Sequence, residues 1–318
     1  MRSTAIIVAV LLAAMASSAQ TSGQAPAQSA TPPSQGTASN QAPSNAQAPP
    51  ASGGHRVLQA NSQEELKAYQ DAFAKTDPAQ LEAAANDFAA KYPTSELRAS
   101  LYMRAMNLYA QSNNTDKVID TGRQAIAADP INPVPLVQVA SALAESIRDN
   151  DLDREQRLAE AAKDAQAAIA NLDTGLLVPA NADPARVEGA KHSILTMAYD
   201  TLGTVDLDKN DYASAEQNLQ KAIDQSKRNP EAVLYLRLSV AQDKLKQYPQ
   251  ALDSANKAVQ YSKDGTAAQN LAKRQQERLQ KLIGAQAPAG NAAPPPSSAM
   301  PGAQPSQSPA PTSPSTPH

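Results

Sequence analysis

The chain has 318 residues, with 28 Lys and Arg side chains, 31 Asp and Glu side chains, 25 Pro and no Cys or Trp. The lack of Cys excludes disulfide scaffolds, thiolate metal sites and a lipid anchor on an N-terminal Cys. The near-neutral charge argues against nucleic acid as a partner, because there is no basic excess to release counterions. The three His residues, His55, His192 and His318, are too scattered to predict a His-based metal site or catalytic triad.

The N-terminal residues have the pattern of a cleavable signal peptide. Arg2 precedes an apolar run over residues 5–14, and the small residues Ser17 and Ala19 suit the positions before a signal peptidase cleavage site. An uncleaved membrane anchor is the alternative, but the apolar run is short for about 30 Å of hydrocarbon. We therefore expect residues 1–19 to be removed and the mature protein to be periplasmic or secreted.

Two flanking segments lack charged residues almost completely. Apart from Arg2, every charged side chain lies between Arg56 and Lys281, and sixteen of the 25 prolines lie in the flanks. Such segments bury too little apolar area to offset the entropy of ordering. We therefore predict disorder for residues 20–61 and 284–318. No later apolar run is long enough to predict a transmembrane helix in the mature chain.

The charged segment between these flanks contains an internal repeat. A shift of 36 residues superposes eight identical residues. They include Tyr199 on Tyr235, Leu202 on Leu238, Tyr212 on Tyr248, Ala215 on Ala251 and Ala222 on Ala258. The Tyr and Leu lie one helical turn apart on one helix, and the two Ala lie seven residues apart on the next. The pattern predicts two similar helix pairs, residues 196–231 and 232–265.

These positions resemble the tetratricopeptide repeat (TPR), a helix pair with a large residue early in its first helix and small residues facing it from the second. The matches in the better copy are Tyr199, Leu202, Gly203, Tyr212, Ala215, Leu219 and Ala222. The resemblance implies an all-α, tetratricopeptide-type helix-pair solenoid without catalytic activity, in a secreted or periplasmic bacterial member. Pro230 follows the last small position by eight residues instead of the family's five, which predicts a second helix nearly one turn longer.

Earlier copies extend the helical repeat domain over residues 62–283. The clearest of them spans residues 99–132, and its matches are Tyr102, Ala125 and Pro130. This copy has Met106 and Gly122 where the family prefers a small and a large residue, respectively. Two divergent copies, residues 62–94 and 133–172, bring the array to about five units, and the second has about nine extra residues between its helices. The mixture of apolar and basic residues over 266–283 predicts a C-terminal capping helix. A solenoid needs such a helix to cover its last apolar face.

One acidic segment has the spacing of a calcium-binding loop. Asp149, Asp151, Asp153 and Glu160 occupy positions 1, 3, 5 and 12 of such a loop. Position 6 is Arg154, however, where the sharp turn of the loop needs Gly. The alternative is an acidic turn in which Asp153 caps the following helix. We predict no metal and no cofactor, with these four residues as a weak calcium candidate and Asp206, Asp208 and Asn210 as a poorer copy of the same spacing.

The remaining candidate for function is a surface that could bind a partner. In the TPR family the concave side is lined by fixed positions of each first helix, which the resemblance transfers to this chain. The candidates are Met103, Asn107, Val137, Ser141, Asp200, Thr204, Leu236 and Val240. Family members that clamp a carboxylate have Lys, Asn and Arg at such positions, and only Asn107 matches here.

The sequence thus predicts a non-catalytic scaffold outside the cytoplasm that binds a peptide or protein partner, not nucleic acid, through the concave face of a TPR array. The alternative is a cell-wall or outer-membrane assembly or coordination factor, in which the tails span the envelope while the repeats organise a complex. An enzyme that uses the acidic segment from Asp149 to Glu160 is a third hypothesis.

Overall fold

The computed structural model describes residues 58–148, 150–179, 181–226 and 230–286. The regular elements of this part of the chain are all α-helices. The N-terminal six are α1 (Gln63–Phe73), α2 (Pro78–Lys91), α3 (Leu97–Gln111), α4 (Thr115–Ala128), α5 (Pro133–Ser146) and α6 (Arg154–Ala170). They are followed by α7 (Leu172–Gly175), α8 (Pro184–Asp208), α9 (Tyr212–Gln225), α10 (Ala232–Lys244), α11 (Tyr248–Tyr261) and α12 (Ala267–Gln286).

The helices pack as successive pairs. Helices α3 and α4, α5 and α6, α8 and α9, and α10 and α11 form four extensive pairs, with α1 and α2 packed at the N-terminal side of α3. Each second helix also contacts the first helix of the next pair, as α4 does with α5 and α9 with α10. This arrangement confirms the predicted all-α, tetratricopeptide-type helix-pair array. The predicted signal peptide, residues 1–19, and nearly all of both predicted tails lie outside the described residues.

Three of the turns between paired helices have the same backbone geometry. Asn113, Asn210 and Lys246 each have a positive φ, of 56°, 60° and 63°. In each turn the following residue donates its N–H to a carbonyl five residues earlier, as Asn114 does to Tyr109 at 3.0 Å. This is the Schellman ending of an α-helix. The three turns are 97 and 36 residues apart, the offsets at which the sequence copies align, so the backbone repeats together with the sequence.

The repeat positions provide the packing between the paired helices. Five Ala side chains on the second helices are fully buried, namely Ala125, Ala215, Ala222, Ala251 and Ala258. Leu202 and Leu238 are buried on the first helices that face them. Small side chains at these positions let two helix backbones approach, which is why the same sites recur in each pair. Pro130 lies exposed just after α4, where it ends the second helix.

One packing site exchanges its large and small residues between repeats. A Cβ atom at Gly203 would lie 2.6 Å from Cγ of Leu219, so this Gly makes room for that Leu. At the equivalent site of the earlier copy, a Cβ atom at Gly122 would clash with Cγ2 of Val139 and lie 3.0 Å from Sδ of Met106. The two departures from the family pattern in that copy therefore compensate each other. In the earlier copy the large side chain is Met106, on the first helix. In the later copy it is Leu219, on the second helix.

The C-terminal helix α12 covers the last pair. It contacts both α10 and α11, and Ala272 and Leu279 are fully buried against them. The helix ends at Gln286, three residues beyond the predicted end of the helical segment. No described helix combines the length and hydropathy that a membrane crossing requires.

One local prediction is wrong, and one short element was not predicted. The second helix α9 has 14 residues, the same number as α4, so the later position of Pro230 does not lengthen it. Ser226 ends α9 instead, because its N–H bonds to Ala222 and Ile223 and its hydroxyl donates to the Ile223 carbonyl. The single turn α7, between α6 and α8, was not predicted from the sequence.

Candidate protein-binding surface

The first helices of the later pairs lie side by side. Helix α8 contacts α5 on one side and α10 on the other, and α10 also contacts α12. We call the surface formed by α5, α8, α10 and α12 the first-helix face. It carries most of the positions that the sequence predicts to bind a partner.

A charged network joins three helices on this face. The guanidinium of Arg237 on α10 pairs with the carboxylate of Asp200 on α8, and it lies 3.8 Å from an Oε1 atom of Glu145 on α5. Burial raises the pKa of the Glu145 carboxyl, and it also raises the pKa of Glu231, with the Asp200 carboxylate adding to both shifts. The Arg237 guanidinium therefore pairs with two carboxylates, from α8 and α5, and joins three first helices, while Glu231 lies within its electrostatic influence.

Sequence reasoning missed Arg237. Its partners lie 37 and 92 residues earlier in the chain, so no local spacing connects them. One feature of the sequence indicates this contact. Arg237 directly follows Leu236, which occupies the same repeat position as Asp200. Neighbouring repeats therefore carry opposite charges at adjacent positions.

Six of the eight predicted partner-binding residues are partly exposed in the structure. They are Asn107, Ser141, Asp200, Thr204, Leu236 and Val240. Asp200 is engaged by Arg237, so this residue positions helices as well as lining the face. The hydroxyl oxygen of Thr204, one turn further along α8, is buried without a hydrogen-bond partner among the described residues.

The other two candidates lie in the core, so the prediction that they line an accessible groove is wrong. Met103 is 5% exposed and Val137 is 2% exposed. The Asn132 side chain lies against Met103, with its Nδ2 atom 3.6 Å from Sδ. Val137 packs in a cluster with Ile194 and Ala198, because α8 lies across α5. These positions bind neighbouring helices of the same chain.

Leu236 and Val240 form a partly exposed apolar pair on the first-helix face. They lie one turn apart on α10, on the other side of the helix from the buried Leu234 and Leu238. Val240 also lines an open cleft of about 440 Å³ between α10 and α12. The other residues that line this cleft are Asp243, Lys244, Lys246, Tyr248, Gln275 and Arg278. An apolar side chain thus stands at the edge of a mostly polar recess.

The repeated Tyr residues are structural. Tyr102 is buried, and its hydroxyl donates to Oδ1 of Asn86 at 2.9 Å. The Nζ atom of Lys221 lies 5.4 Å from the ring centroid of Tyr199, and Lys257 lies 6.0 Å from that of Tyr235. The same Lys and Tyr pair therefore recurs at the 36-residue offset. Tyr212 and Tyr248, at the start of their second helices, are partly exposed.

Two of the four calcium candidates are used in other contacts. Glu160 accepts two hydrogen bonds of 2.7 Å from Arg123, and the Asp151 carboxylate accepts from the Arg148 N–H at 2.9 Å. Asp149 lies outside the described residues. Asp153 is the N-cap residue of α6, as the acidic-turn alternative predicted, although its side chain makes no capping hydrogen bond. No group of three potential metal ligands occurs among residues with a described position.

The comparisons with known proteins give likenesses to solved structures alone. No protein-family model matches the chain, and no curated protein sequence matches it. The structure of the MamA protein is 16% identical, over 58% of this chain and 88% of that one, with a TM-score of 0.37. YrrB, described as a TPR protein with an unusual peptide-binding site, is 15% identical over 68% of this chain and 98% of that one, with a TM-score of 0.38. PilW, a widely conserved type IV pilus biogenesis factor, is 16% identical over 66% and 98%, with a TM-score of 0.34.

The structural neighbours include TPR proteins, the family that the sequence resembles. Since all three TM-scores are below 0.5, we assign the repeats and the first-helix face from the contacts within this chain.

Proposed function

We propose that this protein is a non-catalytic scaffold that binds a peptide or protein partner on its first-helix face, outside the cytoplasm. The observation that favours this function is the pair Leu236 and Val240, which stays partly exposed although the flanking Leu234 and Leu238 are buried. Apolar side chains kept at a surface between polar neighbours are typical of an interaction site. The partner would bury these two side chains, while the polar residues around them set its register.

The rigidity of the face supports this proposal. Arg237 ties α10 to α8 and α5, so the surface exists before a partner arrives. A preformed surface binds more tightly than a mobile one, because less conformational entropy is lost on association. The Tyr and Lys contacts in the two later repeats add to the same rigidity.

The location outside the cytoplasm is supported by the sequence alone. Arg2, the apolar run over residues 5–14 and the small residues Ser17 and Ala19 favour export and cleavage after Ala19. Mass spectrometry of the protein recovered from its native cells tests this directly. A mature N-terminus at Gln20 is expected, and an intact N-terminal Met1 in the membrane pellet would contradict export.

The binding surface is tested by crosslinking from defined positions. A photoreactive residue placed at Leu236 should capture a partner in intact native cells, whereas one at the exposed Gln220, on the second helix α9, should not. The identity of the captured protein separates the general scaffold from a cell-wall or outer-membrane assembly factor. Equal capture from both positions, or capture from Gln220 alone, would move the binding site off the first-helix face.

A further inference from the structure

Charge is distributed unevenly along the helical array. Residues 129–243 contain 19 acidic and 11 basic side chains, whereas residues 244–286 contain three acidic and eight basic ones. The C-terminal end of the array is therefore positive, in a chain whose overall formal charge is −3. Two surfaces of opposite sign attract each other over about one Debye length, roughly 10 Å at moderate salt.

The positive charge at the C-terminal end is concentrated on one face of α12. Leu271, Arg274, Arg278 and Lys281 are spaced three, four and three residues apart, so they share one side of the helix. We call these four residues the α12 cationic face. Leu271 is 41% exposed, and the exposed Arg274 and Lys281 make no ion pair with any described residue. Arg278 pairs with Asp243, so the free charge on this face comes from Arg274 and Lys281.

A protruding surface of the opposite sign lies between α5 and α6. This connection is longer than the three-residue turns of the neighbouring pairs, and Leu152 within it is completely exposed. Asp153 and Glu155 are exposed beside Leu152. Glu155 pairs only with Arg154, at 2.9 Å, and that guanidinium also donates to the Asp208 carbonyl at 2.6 Å. We call Leu152, Asp153 and Glu155 the acidic knob.

We propose that the chain binds a second copy of itself head to tail, with the acidic knob of one copy on the α12 cationic face of the next. Each surface combines an exposed Leu with exposed charged side chains, acidic on the knob and basic on α12, so the two surfaces complement each other in both properties. Burial of the two Leu side chains supplies the affinity, and the opposite charges set the orientation and speed the encounter. Because the two surfaces differ, the contact is heterologous and joins copies into chains or closed rings.

The first test is sedimentation of the protein that lacks residues 1–19, at low and high salt. Since the Debye length falls from about 20 Å at about 20 mM salt to about 4 Å at about 500 mM, the charged contact should persist only in the first condition. We expect a sedimentation coefficient that rises with protein concentration at low salt and stays at the monomer value at high salt. A monomer in both conditions would overturn self-association, and binding of that monomer to anionic lipid vesicles would assign the cationic face to a membrane surface.

Charge reversal on each surface gives the decisive test. The variant Arg274→Glu with Lys281→Glu and the variant Asp153→Lys with Glu155→Lys should each be monomeric alone, because their two contact surfaces then repel. Mixing the two variants should restore association. The control Lys75→Glu with Lys209→Glu makes the same change in net charge as the α12 variant, at exposed sites without ion pairs to described residues, and it should associate like the wild type.

Loss of association in the control, or a mixture that stays monomeric, would contradict the proposed contact. Melting temperatures confirm that each variant is folded. None of the substituted residues lies among the predicted partner-binding positions, so this proposal fails or holds independently of partner capture through Leu236 and Val240 on α10.

Discussion

At the residue scale, the fold depends on matched pairs of side chains across the helix pairs. The pair Gly203 and Leu219 has its counterparts in Ser239 and Ala255 of the next repeat and in Met106 and Gly122 of the earlier one. The Gly and Leu pair and the Met and Gly pair have nearly the same total volume, divided differently between the two helices, whereas the Ser and Ala pair is smaller. Packing at native density tolerates such exchanges when the total volume is conserved.

A double-mutant cycle tests this compensation. Gly203→Ser should lower the free energy of unfolding by about 1–3 kcal/mol, because its Cβ would meet Leu219. Leu219→Ala should lower it by about 2–5 kcal/mol, because a fully buried Leu leaves a cavity. The double variant reproduces the pair of the next repeat and should lose less than the sum of the two, as measured by chemical denaturation. Strict additivity would show that the two sites do not share one packing space.

The raised pKa of the Asp164 carboxyl predicts that the stability of the fold depends on pH. Burial raises the pKa of this carboxyl to about 6, and the nearby Glu160 raises it while Lys163 and Arg123 oppose the shift. A carboxyl whose pKa is higher in the folded state than in the unfolded state stabilises the fold at low pH, and this contribution is lost as the pH rises through about 6.

The variant Asp164→Asn removes this titration. It should gain stability relative to the wild type at pH 7.5, by about 1–2 kcal/mol, and the difference should shrink toward pH 4.5. Comparing the two melting temperatures across this range isolates Asp164 from the other acids. A constant difference between the two proteins at all pH values would show that Asp164 does not titrate there.

At the element scale, Arg237 holds three first helices in register. Replacing it with Met leaves Glu145, Asp200 and Glu231 close together without a counter-charge. Because the side chains of this ion network are 19–40% exposed, the loss of its cation should cost less than the ~3–5 kcal/mol of a fully buried pair. We expect Arg237→Met to be destabilised at pH 8 and less so at a lower pH, because a carboxyl with a raised pKa takes up its proton sooner as the pH falls. An equal loss at both pH values would attribute the effect to packing of the Arg side chain alone.

The capping helix α12 provides a matched pair of Leu residues. Leu279 is fully buried against the last pair, whereas Leu271 is 41% exposed. Leu279→Ala should therefore cost about 2–5 kcal/mol and promote aggregation, because α12 no longer covers the apolar face of α11. Leu271→Ala should change stability by less than about 0.5 kcal/mol. Similar effects of the two substitutions, measured by thermal denaturation and light scattering, would contradict a capping role.

At the scale of the whole molecule, the sequence predicts the helices and their repetition, but only part of the surface. The 36-residue shift identifies the pairs because Tyr, Leu and Ala recur at packing sites. It does not show that Met103 and Val137 are covered, since their burial depends on how α5 lies against its neighbours. Nor does it reveal Arg237, whose partners come from two earlier repeats. Local periodicity determines the elements, while the angle between successive pairs determines which side chains remain exposed.

The central claim is that the partner binds through the exposed apolar pair on α10. The most direct measurement compares how much partner the wild type and two double variants capture from native cells. The α10 variant is Leu236→Ser with Val240→Ser. The control is Ile131→Ser with Val259→Ser, whose residues lie off the first-helix face. Since both apolar pairs are at least partly exposed, each variant should keep a melting temperature within a few degrees of the wild type. We predict that the α10 variant loses its partner by at least about tenfold while the control retains it, because affinity rests on a few apolar anchors. Undiminished capture by a folded α10 variant would contradict the proposed binding surface.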